Sequence, residues 1–144
     1  MRYNISHIMA ELHLKIVTPE KVILDEPVDM VTLTTSEGEI GVLPHHTSLM
    51  AKLMPGELRI KKGGKTDILA TGDGFIQVAD NVLTILTDLA VEESEIDEKK
   101  VEEARKRAEQ ALEQKLSDEE YAETLAVLEK SLAQLRIKRR HRVR

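Results

Sequence analysis

All seven glycines and all four prolines of this 144-residue chain lie at or before Gly74, so the last seventy residues contain neither. Glycine supplies positive φ, and proline fixes φ and removes a backbone donor, so together they punctuate turns. A long stretch without either has the composition of helix. This asymmetry divides the chain into a turn-rich N-terminal part and a helix-permissive C-terminal part.

In the first part the apolar residues alternate. Leu12, Leu14 and Ile16 fall on one side and His13 and Lys15 on the other, the period-two pattern of a half-buried strand that ends at Pro19. Residues 22–24 form a short apolar run, residues 28–35 alternate again, and residues 58–61, 67–70, 75–78 and 82–87 repeat the theme between Pro-Gly, Gly-Gly, Gly-Asp-Gly and Asp-Asn turns. Many short strands with no helical pattern between them predict an all-β sandwich or barrel over residues 11–92. Residues 1–10, with a second methionine at Met9, read as an extension or an alternative start.

In the second part the period changes. Val101, Ala104, Ala108 and Ala111 recur at three-four-three spacing, and Tyr121, Leu125, Leu128, Leu132 and Leu135 at four-three-four-three, which predicts two amphipathic helices. Asp97 is placed to cap the first. Ser117 with Glu120 makes a capping box for the second. The expectation is an antiparallel αα-hairpin over residues 96–137, folded near Leu116, with an alanine stripe facing a leucine stripe. Burying a leucine is worth roughly 1.5–3 kcal/mol and an alanine much less. Such a thin seam can open toward a partner that receives the leucine face, the alternative being a permanently docked pair, the more common fate of a helical hairpin.

The chain ends in a basic tail, residues 138–144. Arg136, Lys138, Arg139, Arg140, Arg142 and Arg144 crowd the last nine positions, none of which is acidic, although the formal net charge of the whole is −5. That is more positive charge than one helix terminus can use. An external acidic surface is the expected target.

Composition excludes several classes. Aromatics are 2% of the chain with no tryptophan, so there is no platform for stacking bases, and the basic tail is assigned to a protein partner and not to nucleic acid. The absence of cysteine excludes disulfides, a thiol nucleophile and cysteine-based zinc sites. No apolar run approaches the length of a bilayer crossing, so membrane association is expected through a partner and not by insertion. No P-loop, nucleophile elbow or convergent carboxylate pair stands out, and no catalytic residues are assigned. Adjacent His45 and His46 point opposite ways on extended backbone with no third ligand nearby, so no metal site is expected.

Residues 36–50 concentrate two glycines, a proline, a Glu-Gly-Glu turn and the histidine pair between two strand-like runs, and read as a rigid polar contact loop. The run Gly38-Glu39-Ile40-Gly41-Val42, with Pro44 and His46, carries a family pattern. It is followed by Pro55-Gly56-Glu57-Leu58-Arg59-Ile60, by residues 72–86 and by Ala133-Gln134-Leu135-Arg136. Over residues 11–137 the chain resembles the epsilon subunit of bacterial F-type ATP synthase. It departs at His45-His46-Thr47-Ser48-Leu49, where the family often has Gly-His-Ala-Pro-Leu.

The resemblance implies a two-sheet sandwich, and a non-catalytic central-stalk subunit that couples the gamma subunit to the c-subunit ring. It implies a ring contact through Glu39, Pro44 and His46, and inhibition of ATP hydrolysis when the helices and their basic tail extend to the alpha and beta subunits. The location implied is peripheral, on the cytoplasmic face of the bacterial plasma membrane. Some family members bind regulatory ATP at a motif that Ile96, Asp97, Lys100 and Arg107 match in part. Lys100 stands where arginine is expected and Val101 where alanine is, while Lys130 and Gln134 take further arginine positions. No cofactor is therefore expected to be required, and ATP binding is expected to be weak or absent. The competing reading is a stand-alone β-sandwich binding module with a helical dimerisation hairpin, which co-purification with a gamma subunit would separate from the first.

Overall fold

The structure, a computed structural model, describes residues 11–142. The extension expected over residues 1–10, and Arg144, lie outside the described residues. The alternation at Leu12, Leu14 and Ile16 is realised in β1 (Leu12–Val17), which turns those three residues fully inward. Nine more strands follow: β2 (Val22–Val28), β3 (Met30–Thr35), β4 (Gly38–Val42), β5 (Leu49–Leu53), β6 (Gly56–Lys62), β7 (Lys65–Thr71), β8 (Gly74–Ala79), β9 (Val82–Thr87) and β10 (Ala90–Glu92). They pair in the order β10-β7-β6-β3-β5-β8-β9-β1-β2, with β4 added beside β3. All pairs are antiparallel except β1 with β9. The sheet folds over a core of Leu12, Leu14, Ile16, Leu33, Leu53, Leu58, Ile76, Leu83 and Ile85.

The expected sandwich is present, with more strands than the pattern predicts. β4, β5 and β10 were not expected. β4 is GEIGV and β10 is three residues long, so neither offers a clear period-two signal. The run at residues 36–50 is accordingly a strand with a turn at each end, not a loop. Gly74 is required for a different reason than turning: a Cβ there would lie 1.8 Å from the Leu86 carbonyl oxygen where β8 meets β9.

After a 3-10 turn (Glu93–Glu95), helices α1 (Glu98–Leu112) and α2 (Asp118–Arg142) form the expected hairpin, with Leu116 in the connection. Both predicted caps form. Asp97 accepts from the Lys100 amide at 3.2 Å; Ser117 Oγ accepts from the Glu120 amide at 3.1 Å, and Glu120 returns a bond to the Ser117 amide at 3.2 Å.

Two expectations about α2 are corrected. The leucine stripe is not a closed seam, because Tyr121 is 48% and Leu132 42% exposed. α2 instead buries Ser131, Ala133, Leu135 and Ile137, since it packs on α1 and also on the sandwich. The basic stretch expected as a tail from residue 138 is the helix itself, continuing to Arg142. What holds it there is the sandwich: Ile137 joins Ile96 and Ala70 in a second small core, with Ile68, Val91 and Val101 around it.

Candidate functional site

The first candidate group divides. Glu39 lies at the start of β4 and Pro44 just past its end, roughly 16 Å apart at 3.3 Å per residue. At the far end, the His46 amide donates to the Leu43 carbonyl at 3.1 Å and His45 has φ 65°, so residues 43–46 make a tight turn with Pro44 at its second position. The neighbouring β8–β9 turn braces it: the Asn81 side chain accepts from the His45 amide at 2.7 Å and donates to the Glu11 carbonyl at 2.8 Å. The His46 ring donates through Nδ1 to the Thr47 carbonyl at 2.7 Å. Between these ends, β4 pairs with β3 alone among the described residues, which leaves its other edge open.

Glu39 belongs to a second constellation. Arg59 on β6 donates through Nη2 to Glu39 at 2.9 Å and through Nη1 to Glu57 at 2.6 Å. Glu57 in turn meets the end of α2: Arg140 Nη1 donates to it at 3.2 Å and His141 Nε2 lies 2.5 Å from its Oε1. Burial pushes the Glu57 carboxyl up, but the hydrogen bonds from His141 and Arg59 and the charges of Arg140 and His141 outweigh it, so the net is a lowered pKa. The same contacts raise Arg59. Neither Glu57 nor Arg59 was singled out as a site residue. The signal was present, since opposite charges two apart on a strand share one face.

The basic stretch, expected to lack a local acidic partner, has several. Lys138 donates to the Glu93 carbonyl at 3.2 Å with the Glu93 carboxylate 3.8 Å away, and Arg139 lies 3.1 Å from Glu102 and 3.6 Å from Glu98. The correction has a simple cause: the partners are 37 to 84 positions away in sequence. Arg136 is exposed beside the α1–α2 groove near Leu132 and Arg105.

Two of the four residues of the partial nucleotide motif have structural contacts. Ile96 is buried in the second core, Asp97 caps α1, and Val101 packs against that core. Lys100 is exposed, and Arg107 faces a shallow hollow with Thr124 and Val127 on α2. Lys130 is committed to the Asp88 carboxylate at 2.5 Å. Among the described residues no His, Asp and Glu cluster is arranged to hold a metal, and no helix is long and apolar enough to cross a membrane.

Two family models match this architecture in succession over residues 11–139. Residues 11–93 match the ATP synthase delta/epsilon chain β-sandwich domain, and residues 94–139 the ATP synthase delta/epsilon chain long α-helix domain. The chain belongs to the ATP synthase delta/epsilon family. Delta/epsilon relatives include the ATP synthase epsilon chains of Herpetosiphon aurantiacus, 41% identical over 92% of this chain and 98% of that one, and of Chloroflexus aggregans, 40% identical over 92% and 96%. A solved structure, the Euglena gracilis mitochondrial ATP synthase OSCP/F1/c-ring assembly, contains a chain that aligns with TM-score 0.72 and 34% identity over 86% of this chain and 79% of that one. The boundary between the two matched domains, at residues 93 and 94, falls in the 3-10 turn, where sandwich gives way to hairpin.

Proposed function

We propose that this chain acts as the epsilon-type, non-catalytic subunit of the central stalk of an F-type ATP synthase. In that role the sandwich joins the gamma subunit to the c-subunit ring, and the helices restrain ATP hydrolysis when they extend toward the alpha and beta subunits. The observation that carries this reading is the match of both domains, in order, to relatives named ATP synthase epsilon chain over nearly their whole length. Association with the membrane face is then peripheral, through the partners.

The ring contact is read as the open edge of β4, from Glu39 to Pro44 and His46. An unpaired strand edge with a braced turn at one end and a charged residue at the other suits lateral contact better than a single tip would. Single cysteines at positions 39 and 46, in a chain that has none of its own, are expected each to crosslink to the ring in the assembled complex. Free modification of both after assembly would remove this edge from the interface.

Regulatory ATP is read as weak or absent, because Lys100 lacks the bidentate fork and Lys130 is held by Asp88. Calorimetric binding in the low micromolar range would count against that reading. The basic end of α2 is read as the part that grips an acidic surface of the catalytic shell.

A further inference from the structure

β10 stops at Glu92, opposite Leu69, and among the described residues no strand covers that side of β7 over residues 66–68. A hollow of about 330 Å³ opens there, lined by Thr66, Asp67, Glu92, Glu93, Ser94 and, from α2, His141. Asp67 lies two residues before Leu69 on the same face of β7, so it is the diagonal neighbour of Glu92, about 7–8 Å away across the ladder. Neither of these carboxylates has a partner among the described residues. Glu93 has Lys138 at 3.8 Å. Two of the three acids in the hollow are thus unmatched.

Carboxylates at a surface are satisfied by water and need no ligand to explain them. His141 is different. Its side chain is 5% exposed, Nε2 lies 2.5 Å from Glu57 Oε1, and Nδ1 is buried with no hydrogen-bond partner among the described residues. The Glu57 carboxylate can only accept, so Nε2 carries the proton of that bond, and in the neutral ring Nδ1 is a bare acceptor. A buried acceptor left bare is costly, and this one belongs to a ring that lines the acidic hollow. Acids and ring call for the same occupant, a cation that donates hydrogen bonds.

A metal ion answers poorly. Mg²⁺ and Ca²⁺ take oxygen ligands, and among the described residues no three His, Asp or Glu converge closely enough to hold a metal. An alkylammonium answers better, since it is a compact charge with three donors. A second hollow, of about 300 Å³, shares Asp67 and Glu92 with the first and adds Glu95, Lys21 at its rim and the apolar side chains of Leu24, Leu69 and Ala90. Carboxylates spaced along apolar walls suit ammonium groups spaced along a methylene chain.

We propose that the two hollows form a binding site for a linear aliphatic polyamine, with one primary ammonium held by His141 Nδ1 and the Asp67 and Glu93 carboxylates, and the chain running past Glu92 toward Glu95 along Leu69 and Ala90. A lysine side chain of another protein carries the same ammonium chemistry, and the choice of probes separates the two sources. The site is complete in the chain alone and is independent of the stalk role.

The test is calorimetry and nitrogen NMR on the full chain at pH 8, where an imidazole is neutral, with spermidine as the probe. Saturable binding of one spermidine per chain is expected, with a shift of the His141 Nδ1 signal, which His141→Gln identifies among the five histidines. Asp67→Asn with Glu92→Gln is expected to weaken binding about tenfold or more, because it removes charged acceptors. Glu113→Gln, at the opposite end of the hairpin, is expected to change nothing. Since His141→Gln also breaks the Glu57 contact, the Asp67/Glu92 variant on the sandwich side decides. 1,6-Diaminohexane should bind about tenfold more tightly than hexamethonium, which has the same charge and chain but no N–H donor. A capped tetralysine peptide should bind more weakly than spermidine.

No saturable binding would overturn the site. So would equal binding of diaminohexane and hexamethonium, or of the unmodified and Asp67→Asn/Glu92→Gln chains, since either reduces the effect to general attraction toward an acidic surface. An unmoved Nδ1 signal at saturation would remove His141 from the site. Tetralysine binding more tightly than spermidine would overturn the polyamine in favour of a protein lysine.

Discussion

At Asn81 a φ of 64° coincides with an amide that works in two directions. With Asp80 at φ 50° it forms the two-residue turn between Ala79 and Val82, where both central positions need the left-handed region. Its side chain then ties the 43–46 turn to the start of β1. Asn81→Ala removes an acceptor and a donor and places alanine at positive φ, for an expected loss of about 2–3 kcal/mol. Asn81→Asp keeps the acceptor and tolerates the backbone, so about half that loss is expected; urea unfolding of the two variants measures both. The turn residues were legible in the Asp-Asn dipeptide, but the brace was not, because it joins residues 36 and 70 positions away. Glu39, Pro44 and His46 show the same limit: sequence places them within eight residues, and only the strand between them shows that they occupy opposite ends.

At the scale of elements, local chemistry was read well and shared surfaces poorly. Both helix caps were legible because each closes within three residues. The leucine stripe was misassigned because α2 has two partners. Leu132, Leu135 and Arg139 border α1, while Leu125 and Ala126 lie by the start of β8, Lys130 by Asp88, and Ile137 by Ala70. A helix buried on two faces carries no single apolar stripe. Charge adds to this apolar docking, and it titrates. Facing Glu57 are Arg59 of β6, itself held by Glu39 of β4, and Arg140 and His141 of α2; Asp67 of β7 and Glu92 and Glu93 lie beside His141. Because the Glu57 carboxyl is lowered in the docked state, its contribution is fully present above the unfolded carboxylate range and is lost as pH falls through the lowered value. On acidification, wild-type α2 is therefore expected to lose exchange protection before the β1 and β9 strands do, and Glu57→Gln to show no such step. A single transition of helix and sandwich together in the wild type would show that this carboxylate does not set the docking.

For the whole molecule, the proposed role gives the same cationic end two destinations, which ionic strength should separate. Docked, Arg140 and His141 meet a carboxylate that is 7% exposed; extended, they would meet an acidic surface of the catalytic shell, with side chains that are long and solvated. Exposed pairs are screened over about 10 Å at 0.1 M salt, and enclosed pairs much less. Added salt should therefore weaken the external grip first and return the helix to the sandwich, raising ATP hydrolysis by the assembled F1 sector. Removing residues 136–144 should raise hydrolysis at every salt concentration and leave assembly through the sandwich intact, because among the described residues that segment contributes Ile137 alone to the small core under α2 and none to the core of the β domain. Glu57→Gln separates docking on the sandwich from the external grip. With the carboxylate that meets Arg140 and His141 removed, the helix is expected to stay extended longer, so basal hydrolysis should fall below wild type and the salt midpoint for relief should move upward. Hydrolysis by complexes rebuilt with the three chains, measured across a salt series, decides between them. Coincident wild-type and Glu57→Gln curves would mean that docking on the sandwich does not compete with inhibition, and a truncated chain as inhibitory as the full one would mean that the basic end is not the gripping part.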